Sequence, residues 1–284
     1  MKIINTIAEM KEIVRAAKSD GKNIALVPTL GYLHEGHVSL IKHARKAGDL
    51  LVVSLFVNPL QFCPGEDFEK YPRNEGWDHS VCRKNGVDII FNPMPEEMFS
   101  VDHSTYVNEE SLSQSLCGKT RPGHFRGVAT IVAKLFNIIC PSVAVFGQKD
   151  AQQALIIKRV VRDLNIDVEI VVLSTVRDQD GLALSSRNEY LNIDEKQDAL
   201  CLHEALSLAR ILVSSGERET KRVIKKMEAV INQRKTAKID YIKVTDSETL
   251  HSSDQLKGSV LIALAVYIGK ARLIDNVIVH IEEK

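Results

Sequence analysis

From the N-terminus to about residue 175, short apolar runs alternate with helical patterns. Thr6-x-x-Glu9 reads as a capping box. Ile7, Met10, Val14 and Ala17 follow it at helical spacing, and Gly21 suits the helix end. Ile24 to Val27 is a continuous apolar run stopped by Pro28, which predicts a buried strand. A helical pattern from about 36 to 47, stopped by Gly48, leads to a second buried strand over 50–57, ended by Asn58-Pro59. Val87 to Phe91 reads as strand after another helical stretch. The spacing then predicts helix over 124–139, strand over 143–146, helix over 150–164 and strand over 168–173.

Strands that are apolar on both faces and alternate with helices predict a parallel sheet covered on both sides, a doubly wound α/β fold. In such folds ligands bind beyond the carboxyl ends of the strands. The residues after Val27, Val57, Phe146 and Leu173 are therefore where chemistry is expected. After about residue 188 the texture changes. Two charged amphipathic helices, 194–214 and 220–234, precede three strand candidates, 239–245, 260–268 and 277–281. This predicts a smaller α+β domain, with the division at 1–175 and 176–284.

Composition narrows the setting. The 284 residues suit two domains of about 150. With 44% hydrophobic and 26% charged residues, bulk disorder is excluded. Lys plus Arg is 37 and Asp plus Glu is 37, so the chain lacks the basic excess of a nucleic-acid binder, and none is expected as partner. An anionic ligand must be met by a local site. The longest apolar run, Val260 to Ile268, is about half of a membrane span, and Met1 to Arg15 has no signal-peptide character; no membrane association is expected. Five scattered cysteines without a C-x-x-C pair predict thiols in a reducing cytoplasm, with neither a disulfide framework nor structural zinc.

Four segments at the predicted strand ends suit phosphate or nucleotide. Pro28-Thr-Leu-Gly-Tyr-Leu-His34-Glu-Gly-His37 puts two histidines three apart at a helix start, where backbone N–H groups and the dipole attract phosphate. Two imidazoles there can also stabilise developing charge. The spacing is one residue short of the zinc motif His-Glu-x-x-His. Asn58 and Gln61 supply neutral amides for hydroxyls and carbonyls. Gly147-Gln-Lys149-Asp150 offers close backbone approach, a point charge and a ribose acceptor, with Gln153 a turn further on. Leu184-Ser185-Ser186-Arg187 makes a hydroxyl and guanidinium clamp. Lys119, Arg121, His124 and Arg126 form a basic cluster that either faces an anion or is solvated surface. Asp67 and Asp78 are acids of the kind that accompany magnesium near phosphates, or plain surface acids. Ser113 stands where a Walker motif needs glycine, so there is no P-loop. Together these residues read as an ATP-using enzyme that holds the triphosphate with His, Lys, Ser and Arg.

Seven segments carry a specific resemblance: P-T-L-G-Y-L-H-E-G-H, F-V-N-P-L-Q-F, Y-P-R, R-P-G-H-F-R-G-V, F-G-Q-K-D-A-Q-Q, L-S-S-R-N and A-R-L-I-D-N, in order from 28 to 276. The chain resembles the pantoate–β-alanine ligase family within the H-x-G-H nucleotidyltransferases. The resemblance implies a Rossmann-like sheet of nucleotidyltransferase type with a C-terminal lid. It implies ATP-dependent joining of pantoate and β-alanine to give pantothenate, AMP and pyrophosphate through a pantoyl adenylate. It implies ATP at Leu30, Gly31, Tyr32, Leu33, His34, Glu35, Gly36 and His37, at Gly147, Gln148, Lys149 and Asp150, at Val176, and at Leu184, Ser185, Ser186 and Arg187. His37 is implied as proton donor, with His34 and Lys149 beside it in catalysis. Gln61 and Gln153 are implied for pantoate, Gln61 also for β-alanine, and Asp78 for Mg2+. A cytoplasmic homodimer is implied as well. Leu30, Tyr32, Cys63, Trp77 and Gln148 depart from the common pattern; Trp77 stands at a position that is often acidic. Two alternatives remain: another adenylate-forming member of the superfamily, which would not need Gln61 and Gln153 together with the Arg-Pro-Gly-His segment, or a non-catalytic ATP-binding scaffold.

Overall fold

The computed structural model describes residues 1–281. Its strands and helices are β1 (Lys2–Ile4), α1 (Ile7–Ser19), β2 (Ile24–Thr29), α2 (Glu35–Ala47), β3 (Leu50–Leu55), α3 (Glu75–Lys84), β4 (Ile89–Phe91), α4 (Pro95–Met98), α5 (Leu116–Thr120), α6 (His124–Ile139), β5 (Val143–Gly147), α7 (Ala151–Asp163) and β6 (Glu169–Leu173), followed by α8 (Ile193–Ala199), α9 (Cys201–Ser214), α10 (Thr220–Ile231), β7 (Ala237–Asp246), β8 (Ser259–Ile268) and β9 (Ala271–His280). They divide into two compact units. The larger is Met1–Gln114, Gly118–Gln148 and Gln152–Ser174; the smaller runs from Thr175 onward and takes in Ser115–Cys117 and Lys149–Ala151.

In the larger unit six parallel strands run in the order β1-β4-β3-β2-β5-β6. This is the expected doubly covered sheet. Ala25, Val27, Leu51 and Val53 pack with Val38, Ile41 and Ala44 of α2 and with Val81 and Cys82 of α3. The alternate residues Ile24, Leu26 and Val52 are fully buried as well, and α6 packs on β2. The chain order reverses between β2 and β5, so the crevice for a ligand is expected at their carboxyl ends. β2 pairs with β5 only at Ala25 and Leu26, and then parts from it. Pro28, expected to end the strand, lies inside it, because past Leu26 no β5 partner asks for its missing N–H.

The smaller unit is an antiparallel sheet, β7-β8-β9, covered by α9 and α10 over a core of its own. The expected helix over 194–214 is two helices, joined at Leu200, which keeps helical backbone angles. The expected strand over 277–281 begins earlier, at Ala271. Among the described residues the five cysteines form no disulfide, and no helix is long and apolar enough to cross a membrane.

Candidate active site

β2 delivers the chain into a turn that is pinned from three sides. Thr29 Oγ1 donates to the Ser54 carbonyl (2.8 Å) and accepts the Gly31 N–H (3.1 Å). Gly31 and Tyr32 both take positive φ, 84° and 52°. That is routine for glycine and costly for tyrosine. A Cβ on Gly31 would also stand 3.0 Å from an Asp78 oxygen. Asp78, from α3, accepts the Tyr32 N–H (2.9 Å) and the Leu33 N–H (2.7 Å), one on each oxygen. Trp77 Nε1 donates to the Leu33 carbonyl (2.8 Å). Asp78 is 3% exposed, and burial pushes its carboxyl above the usual range against the opposing pull of the two amides.

The turn ends at His34, which caps α2. His34 Nδ1 accepts the Gly36 N–H (3.1 Å), and His37 Nδ1 accepts the His34 N–H (3.2 Å), a reciprocal cap made of two imidazoles. The ring centroids are 4.1 Å apart. With Nδ1 an acceptor in both rings, each neutral imidazole carries its proton on Nε2 and is a donor there. Capping thus engages Nδ1 of each ring and not Nε2.

At the end of β3, Asn58 is fully buried. Its Nδ2 donates to Gln61 Oε1 (3.2 Å) and to the Gly127 carbonyl (3.1 Å). Asn58 is thus a brace for Gln61 rather than a second contact group. The basic cluster divides, with only Arg121 and His124 kept together. Arg121 and His124 turn onto Glu66 and Gln61, Arg126 stacks over the Tyr106 ring at 4.6 Å, and Lys119 is exposed. On α7 the two neighbouring glutamines part ways. Gln152 is buried and donates to the Leu112 carbonyl (2.8 Å), whereas Gln153 is half-buried.

The smaller unit orders the other expected residues. Lys149 Nζ lies 4.0 Å from Asp150, and the Lys149 carbonyl accepts from Asn276 Nδ2 (3.0 Å). The Val176 carbonyl accepts the Leu184 N–H (3.0 Å), which folds 176–184 back on itself. Arg177 fixes this loop by gripping buried Asp275 with two bonds (2.5 and 2.9 Å) and the Gly181 carbonyl with a third (3.0 Å). Ser185 Oγ accepts the Arg187 N–H (3.3 Å) and starts a short helical turn over Ser186–Tyr190.

Residues 2–278 match the model of the pantoate-beta-alanine ligase family. The chain belongs to that family. It is 50% identical to the pantothenate synthetase of Caldicellulosiruptor bescii over 280 residues, 99% of each chain. To that of Moorella thermoacetica it is 50% identical over 283 residues, the whole of both. The solved pantothenate synthetase of Thermus thermophilus superposes with a TM-score of 0.93 at 39% identity, covering 98% of this chain and 99% of the other. The pantoate-beta-alanine ligase of Francisella tularensis, solved with beta-gamma ATP and beta-alanine, gives 0.81 at 33% identity, with 98% and 97% covered.

The H-x-G-H segment, Gln61, Lys149 and the Ser-Ser-Arg turn are the residues expected at the site from the sequence. Sequence reasoning missed the residues that hold these in place. Asp275 and Asn276 sit in the A-R-L-I-D-N segment, where two polar residues interrupt an apolar strand; that interruption was the available signal. The bracing by Asp78 and Trp77 had no local signal, because their partners lie more than 40 residues away.

Proposed function

We propose that the chain joins pantoate to β-alanine at the expense of ATP, through a pantoyl adenylate. A pantoate carboxylate oxygen attacks the α-phosphorus, and the bond from that phosphorus to the pyrophosphate oxygen breaks. Charge grows on the phosphoryl oxygens and on the departing pyrophosphate. The Nε2–H groups of His34 and His37, the N-terminus of α2 and the Lys149 ammonium are donors suited to that charge. The β-alanine amine, unprotonated, then attacks the acyl carbon. The tetrahedral intermediate expels AMP, the amine loses a proton, and the amide of pantothenate remains. The observation that carries this reading is the double imidazole cap, which commits both histidines to donate from Nε2 at the end of β2.

Gln61 and Gln153 are read as the pantoate contacts, and Gln61 also as that for β-alanine. Asp150 is read as the ribose acceptor, Val176 as the backbone contact to adenine, and Leu184 to Arg187 as the clamp on the triphosphate. Magnesium supplies charge neutralisation to ATP phosphates when it accompanies them. Asp78 does not fit as its ligand, since each oxygen already accepts a loop amide in a buried setting. We read Asp78 as the brace of the Gly31–Leu33 turn. The family resemblance also carries a homodimer in the cytoplasm, and light scattering at two chains per particle would support the first part.

Product analysis tests the reading. AMP and pantothenate should form in equal amounts only when ATP, pantoate and β-alanine are all present. Formation of ADP, or turnover without β-alanine, would overturn it.

A further inference from the structure

Two residues of the R-P-G-H-F-R-G-V segment converge on the turn that carries Gln61. Arg121 grips Glu66 through Nε (2.5 Å) and Nη2 (2.6 Å), and its Nη1 meets His124 Nε2 at 3.0 Å. A guanidinium has only donors, so His124 Nε2 is the acceptor and the neutral ring carries its proton on Nδ1. That N–H donates to the Gln61 carbonyl at 2.7 Å, which Arg121 Nη2 also reaches at 3.3 Å. From the other side Asn58 Nδ2 donates to Gln61 Oε1 (3.2 Å), so the Gln61 side chain keeps its Nε2 hydrogens as the donor end. Gly127 lets α6 press on this turn, because a Cβ there would overlap the Leu60 carbonyl and stand 2.7 Å from the Gln61 nitrogen. Main chain and side chain of Gln61 are thus fixed independently. His124 is 8% exposed.

We propose that His124 is a positioning residue for Gln61, acting only as the neutral Nδ1–H tautomer, and that pantoate capture weakens when this ring gains a second proton. The proposal rests on the reading of Gln61 as a pantoate contact. The second proton would go on Nε2, directly against the Arg121 guanidinium. His124 is also the first residue of α6, where the helix dipole opposes a positive ring. The opposing charge is Glu66. It lies below the usual carboxylate range although burial pushes it up, because the Arg121 hydrogen bond and charge outweigh that penalty. Its two oxygens are engaged by Arg121, so it neutralises the guanidinium first. Also at the ring are the Gln61 carbonyl and the edge-on Phe125 ring, with centroids 4.7 Å apart. Protonation therefore breaks the Arg121–His124 bond and sets two cations against each other, and their repulsion displaces the ring whose Nδ1–H holds the Gln61 carbonyl. ATP, expected at the β2 turn, does not depend on this network.

The test is pantoate binding to the full-length protein by calorimetry, with a non-hydrolysable ATP analogue bound, from about pH 8 down to about pH 5.5. The wild type should lose affinity for pantoate at the pH where nitrogen NMR shows the His124 ring gaining its second proton, by up to about tenfold for each pH unit below it. In His124→Asn the side-chain N–H replaces Nδ1–H and does not titrate. Its affinity should be flat across the range and close to wild type at the alkaline end. In His124→Gln the donor falls nearer the Nε2 position, and binding should be weak at every pH. An acid fall in His124→Asn equal to that of wild type would overturn the proposal. Absence of pantoate binding at any pH in wild type would overturn the functional reading instead. Nitrogen NMR of the wild-type histidines reads the tautomer without a variant. A buried ring with Nδ1 protonated and Nε2 bare is expected, and an Nε2–H tautomer at His124 would refute the proposal.

Discussion

His34 and His37 accept at Nδ1, whereas His124 donates from Nδ1, and the difference follows from what each ring faces. At the start of α2 the neighbours are backbone N–H groups; at Gln61 the neighbour is a carbonyl. Lys149 is read as a point charge in the proposed reaction, and its carbonyl is held by Asn276. Lys149→Ala should lower kcat by about 10²–10³-fold, the usual effect of removing one transition-state donor. Near-normal turnover by the folded variant would exclude it from the reaction. Asp78→Ala removes the acceptor that holds the Tyr32 and Leu33 amides, a loss of about 1–3 kcal/mol, so ATP affinity should fall by about 5–150-fold. Trp77, the only tryptophan, donates to the same loop, so its fluorescence can report the ATP titration. Unchanged affinity would show that the turn holds itself.

The strands at the middle of the sheet were legible because both of their faces are buried, which leaves a near-continuous apolar run in the sequence, as in Ile24–Val27 and Leu50–Val53. β1 carries little signal in the sequence because it has three residues, two of them exposed, and among the described residues pairs with β4 alone. β9 was shortened in the reading because Arg272, Asp275 and Asn276 look like loop residues; within the strand they bond to Asp240, Arg177 and Lys149. The site segments were legible from their places at strand ends. Which basic residues turn inward was not, since Arg121 finds Glu66 across 55 positions. Gly127 belongs to this scale too, because it sets how closely α6 meets the Gln61 turn. Gly127→Ala should destabilise the protein by about 1–3 kcal/mol through overpacking. Urea unfolding would measure this, and pantoate affinity should fall with it. A variant as stable as wild type would mean that the turn yields easily.

Across the whole molecule 37 basic and 37 acidic residues cancel at pH 7, and particular pairs shape how the protein responds to acid. Glu66 is one of them. Its carboxyl is lowered in the folded state relative to 4.5, so the stability it contributes is present above about pH 4.5 and is lost as the pH falls through the folded value. Glu66→Gln should therefore cost about 1–3 kcal/mol at neutral pH, and the gap to wild type should close in acid. A gap that persists below the folded value would assign the effect to packing. At the same scale, the first half of the proposed reaction should be separable from its second. Pyrophosphate release is the measurement that tests this most directly, with MgATP and pantoate alone and then with β-alanine added. The account predicts about one pyrophosphate per site from pantoate alone, held as the adenylate, and continuous turnover once β-alanine is present. Pyrophosphate that appears only with β-alanine, or does not depend on pantoate, would contradict it.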